Sequence, residues 1–131
     1  MKTNFIPMFP ADFYTYLSNH TLVEIKGGTT RETFLPIWMV TVDGRVFSRS
    51  WNKSAKSWFT EFLNTGVGEI KTGDRVLQVS GKKLSPDDPI NPKISEAYLR
   101  KYDQPGNLTY SQGISQPEYF DHTMEFFVRE A

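Results

Sequence analysis

The chain has 131 residues, with fifteen basic and fifteen acidic side chains and therefore no formal net charge. That balance supplies no basic face for nucleic acid, and the absence of cysteine excludes disulfides, thiolate catalysis and cysteine-ligated zinc. The length suits one domain over residues 1–131, large enough to bury a core without covalent staples. No stretch approaches the roughly 18 apolar residues of a membrane span, and the N-terminal segment, with Pro7, Pro10 and Asp12, lacks the apolar core of a signal peptide. A cytoplasmic protein without membrane contact is expected.

Pro10 to Asn19 reads as a short helix, with Phe13, Tyr16 and Leu17 on one face. Leu22 to Lys26 alternates as a strand does, and Gly27-Gly28 follows as a turn. Phe34 to Val42 is the most apolar stretch and is expected as one strand, central or at a dimer interface. Leu35, Ile37 and Met39 would face one way, and Phe34, Trp38, Val40 and Val42 the other. Pro36 cannot donate to a ladder, so it marks a bulge or an edge.

Asp43-Gly44 between apolar runs predicts a hairpin whose second strand covers Arg45 to Trp51. Phe47, Arg49 and Trp51 share one face of it. Ser54 is the expected N-cap of a helix reaching about Asn64, with Trp58, Phe59, Phe62 and Leu63 as its apolar side. Glu69 to Lys83 holds a further hairpin around Thr72-Gly73-Asp74. Asn91 and Pro92 open a helix ended by Pro105-Gly106, with Ile94, Ala97, Tyr98 and Leu99 inward. Asn107 to Phe120 reads as a surface loop, and Thr123 to Val128 as the last strand. About six strands with helices inserted between them define an α+β chain, built as a small barrel.

Chemistry concentrates where the Arg45–Trp51 strand hands over to the next helix. Arg49 and Ser50 end the strand, and Lys53, Lys56 and Trp58 follow. Cations, a hydroxyl and a flat ring near a helix N-terminus suit a phosphate-bearing, ring-containing ligand. Arg49 is either a phosphate ligand or a sheet-surface arginine paired with Glu61 or Glu32. Trp38 and Trp58 serve as core or interface residues, or as walls for a ring. No G-x-S-x-G elbow, Walker loop or dinucleotide fingerprint is present. The two histidines, His20 and His122, lack metal-ligand spacing. No catalytic residue is assigned and no metal is expected.

Three stretches carry a family resemblance. They are Thr33 through Pro36-Ile37-Trp38 and Asp43-Gly44 to Val46-Phe47-Ser48-Arg49-Ser50, then Ser57-Trp58-Phe59 to Gly68-Glu69-Ile70, then Ile94 to Tyr102. Together they resemble the FMN-binding split-barrel superfamily and, within it, a bacterial family of unknown function. The resemblance implies a six-stranded antiparallel split β-barrel with flanking helices that forms a homodimer. It implies FMN, a deazaflavin or haem in a groove at the dimer interface, and flavin-dependent oxidoreductase chemistry. Carried onto this chain, it points to Thr33, Arg49, Ser50 and Lys56 at the phosphate and to Trp38 and Trp58 beside the ring. The basic pair common in flavin oxidases is replaced here by separated lysines in Asn52-Lys53-Ser54-Ala55-Lys56. A cofactor-free split barrel, acting as a binding or structural module, is the alternative expectation.

Overall fold

The computed structural model describes residues 9–51 and 57–129. Its frame is one antiparallel sheet of seven strands in the order β2-β1-β5-β6-β7-β4-β3. The strands are β1 (Val23–Gly27), β2 (Leu35–Ile37), β3 (Val40–Val42), β4 (Arg45–Arg49), β5 (Val67–Thr72), β6 (Arg75–Lys83) and β7 (Thr123–Val128). The helices are α1 (Ala11–Asn19), α2 (Trp58–Thr65), α3 (Asn91–Lys101) and α4 (Leu108–Ile114), with a 3-10 turn at Pro117–His122. The two edge strands, β2 and β3, are consecutive in the chain and separated only by Trp38 and Met39. A link that short holds the two sheet edges close together, so the sheet curls into a half-barrel.

The stretch expected as a single strand is therefore two, which accounts for seven strands where six were expected. It is also not central: Pro36 lies on edge strand β2, opposite Glu24, where its missing N–H costs no ladder bond. The alternation read from the sequence holds across the break. Met39 joins the core under α1 and α2, with Leu35 and Ile37 packed against it. Val40 joins the second core under α3, with Trp38 and Val42 against it.

Side chains stand in for strand partners at the break. The Tyr102 hydroxyl accepts the Met39 N–H at 2.9 Å and donates to the Thr21 carbonyl at 2.7 Å. The Lys101 ammonium donates to the Met39 carbonyl at 2.8 Å. From across β4, the Ser48 hydroxyl donates to the Trp38 carbonyl at 2.8 Å. The Met39 N–H and C=O would otherwise sit unpaired in the core, where Met39 is fully buried.

Helix α2 packs closely because three sheet residues beneath it are glycines. A Cβ on Gly68 would lie 2.4 Å from the Phe62 ring, one on Gly81 2.5 Å and one on Gly27 3.2 Å. The cap of α2 is Ser57, whose Oγ accepts the Thr60 N–H at 3.1 Å, rather than the expected Ser54; Ser54 lies outside the described residues. Gly66 ends the helix at φ 75°, as a left-handed C-terminal residue should.

The segment expected as a loop after residue 107 instead carries α4 and the 3-10 turn. Ile114 and Ser111 of α4 are buried. Tertiary packing overrides the weak helix propensity of that polar stretch. Among the described residues no helix is long and apolar enough to cross a membrane.

Candidate functional site

Strand periodicity sends Phe47 and Arg49 to the α3 side of β4. Phe47 is fully buried there and Arg49 is 3% exposed. The surface-arginine reading of Arg49, with Glu61 or Glu32 as its partner, is thereby overturned. Its Nε–H donates to Thr123 Oγ1 at 2.9 Å. One terminal nitrogen donates to Ser95 Oγ at 2.7 Å and the Ile114 carbonyl at 3.1 Å. The other donates to the Asn91 carbonyl at 3.1 Å and to Asn91 Oδ1 at 3.3 Å. All five guanidinium N–H groups thus have protein acceptors, drawn from β7, α3 and α4.

None of these acceptors is a carboxylate, so the positive charge is solvated by dipoles and not cancelled. The Phe120 and Tyr98 rings lie 5.0 Å and 5.9 Å from the guanidinium carbon. Burial lowers the Arg49 pKa to about 10, which leaves the group charged at neutral pH. Its main-chain N–H donates to the Tyr98 hydroxyl at 2.8 Å, replacing the bond that β3 would have supplied. Burial pushes the Tyr98 phenol up to about 12, so it remains protonated.

Beside this cluster lies a cavity of about 360 Å³ whose wall includes Trp38, Arg49, Ser50, Trp51, Ser57 and Trp58. The chain has three tryptophans, and every one of them borders this space. Leu22, Leu35, Pro36, Ile37 and Ile114 complete the lining. Trp38 is fixed by stacking on Tyr102. Trp58 is 6% exposed and packs edge-on to Phe59 and Phe62. Trp51 is 46% exposed, with Tyr119 and Tyr110 edge-on to it at 5.1 Å and 6.4 Å. Gly113 of α4 makes room for it, since a Cβ there would lie 3.1 Å from the indole.

Four of the six residues singled out from sequence thus share one wall: Trp38, Arg49, Ser50 and Trp58. Thr33 is exposed in the bend before β2 and does not border the cavity. Lys56 lies outside the described residues. Trp51, placed from sequence on the face of Arg49 and expected at the groove only in the cofactor-free alternative, also borders the cavity. Sequence reasoning missed Asn91, Ser95, Ile114 and Thr123 as the cradle of that arginine. Among the described residues no cluster of three histidines or acids could hold a metal.

Fold and cavity together define an α+β protein with a curled antiparallel sheet and one tryptophan-walled, cation-bearing pocket of ligand size. Residues 20–126 match the family described as "Uncharacterized protein conserved in bacteria (DUF2255)", and the chain belongs to that family. No curated protein matches the chain.

Proposed function

We propose that this protein binds a planar ring ligand, FMN or a related flavin or deazaflavin, in the tryptophan-walled cavity and uses it for oxidoreductase chemistry as a homodimer. The convergence of Trp38, Trp51, Trp58, Arg49 and Ser50 on one space of about 360 Å³ carries this reading. Flat indole walls suit a flat ring. The bound cofactor would supply the redox chemistry, and the protein binding and electrostatics. Arg49 contributes a fixed positive charge and not a hydrogen bond, since its N–H groups are engaged. It would favour an anionic or reduced ring by Coulomb attraction alone.

The finer assignment to a six-stranded split barrel belongs to the same proposal. Counting β2 and β3 as halves of one interrupted strand supports it. The exposed apolar side chains at the cavity, Leu22 at 48% and Trp51 at 46%, support a dimer seam there.

The test is FMN titration followed by tryptophan fluorescence and flavin absorbance, with light scattering for mass. Saturable quenching that weakens in Trp51→Ala is the expected result. Failure of FMN, a deazaflavin and haem alike to bind would remove the redox reading. The second reading, a cofactor-free binding module, then takes its place. One specific observation favours it: with Arg49 saturated by protein acceptors, no described cation in this wall has an N–H left for a phosphate.

A further inference from the structure

A second cavity, of about 370 Å³, lies between α1, β3 and α3 and takes no part in the site above. Its wall includes Tyr14 and Ser18 from α1, Thr41 from β3, and Arg100 and Lys101 from α3. Leu17, Val40 and Ala97 supply its apolar surface.

The register of the β3–β4 hairpin decides what the strand shows this cavity. Asp43 and Gly44 have φ of 53° and 80°, so the turn is the two-residue hairpin type that makes Val42 and Arg45 a bonded pair. Thr41, one step back, therefore turns its N–H and C=O away from β4, toward the sheet's free edge. The same parity at Met39 is satisfied by Tyr102 and Lys101. At Thr41 no described residue supplies a partner.

The Lys101 amine has one hydrogen bond, to the Met39 carbonyl at 2.8 Å, and no carboxylate among the described residues pairs with it or with Arg100. The titratable or charged groups around it are Arg100 on its own helix, Tyr102 at the C-cap of that helix and Tyr14 on α1; β3 contributes none to the wall. Burial alone lowers the amine's pKa to about 8. An ordinary surface lysine is almost wholly protonated at that pH.

We propose that Lys101 is a nucleophilic amine serving a second site, one that takes a small carbonyl compound bearing a phosphate or carboxylate. The Arg100 guanidinium and the outward Thr41 N–H would hold the anionic group. The Lys101 lone pair attacks the carbonyl carbon, the carbonyl oxygen takes up the proton lost by nitrogen, and the carbinolamine loses water to give an imine. No oxidant or reductant is needed, and hydrolysis reverses the step.

The test uses the wild-type protein and Arg100→Ala. Each is treated with limiting pyridoxal 5′-phosphate, which carries both an aldehyde and a phosphate. The imine is then trapped with borohydride and the modified lysines are mapped by mass spectrometry. At pH 8 Lys101 should label about a hundredfold faster than the median lysine, following its neutral fraction, with a rate midpoint near pH 8. Inorganic phosphate should compete, and Arg100→Ala should lose most of the preference. Labelling of Lys101 no faster than the other lysines overturns the proposal, as does a midpoint at the ordinary lysine value. Preference retained in full by Arg100→Ala overturns the anion-holding role. The readout does not depend on flavin binding, so the two sites are judged separately.

Discussion

Trp38 lies flat on Tyr102, with ring centroids 4.0 Å apart and planes 9° from parallel. The stack joins the interruption between β2 and β3 to the residue that caps α3. The same tyrosine takes the Met39 N–H through its hydroxyl, so one side chain both replaces a strand partner and steadies a wall of the cavity.

Tyr102→Phe keeps the stack and removes the hydroxyl. The Met39 N–H and the Thr21 carbonyl then lose their partner. The expected loss is about 1–3 kcal/mol in urea unfolding, with Trp38 fluorescence shifted toward that of a more mobile indole. A midpoint unchanged from wild type would show that water replaces the hydroxyl without cost.

Arg49 is first a packing residue. Arg49→Met leaves the Asn91 and Ile114 carbonyls without their donor and should cost about 3 kcal/mol or more. Arg49→Lys keeps the charge, offers three donors in place of five, and should fall between the two. Thermal unfolding of the three proteins ranks them. If Arg49→Met melts with wild type, the five bonds contribute nothing net.

Gly68→Ala would put a methyl 2.3 Å from the Lys26 carbonyl oxygen and 2.4 Å from Phe62. The oxygen belongs to a paired strand and cannot swing away, so overpacking of about 2 kcal/mol or more is expected. Gly106→Ala is the control, because nothing lies within 4 Å of a Cβ there. Equal denaturation midpoints for the two variants would contradict the close approach of α2 to the sheet.

Stability should rise with pH through the weakly alkaline range. Lys101 titrates at about 8 in the folded chain and near the ordinary lysine value of about 10.4 when unfolded. Between those values the unfolded state binds more protons, so raising the pH favours folding. Below about pH 8 both states are protonated and the cost of burying the ammonium is fully present. Tyr98, pushed up to about 12, and Tyr102, also raised by burial, act in the opposite sense. They do so only above the ordinary tyrosine value of about 10. A gain of about 1 kcal/mol is expected between about pH 8 and pH 10, allowing for screening of a partly exposed group. The gain should vanish in Lys101→Met. The same slope in both proteins would assign it to another group.

The hairpin at Asp43-Gly44 and the facing of Met39 opposite Trp38 were legible because each rests on short-range signals, whereas Arg49, Ser50 and Trp58 were grouped by their nearness in the chain and Trp38 was added to them by the family resemblance. A period of two sorts side chains to two faces whatever lies beyond them. The division of the apolar stretch at Trp38-Met39 was not legible, because its cause lies about sixty residues onward in Lys101 and Tyr102. The burial of Arg49 was hidden for the same reason. Its five acceptors sit on residues 91, 95, 114 and 123, and the segment around residue 114 read only as a polar surface loop. What this sequence determined by itself was the alternation of faces, the turns, and the charge balance. Only the tertiary structure decided which polar groups meet, because a buried hydrogen bond joins partners by proximity in space and leaves no periodic trace along the chain.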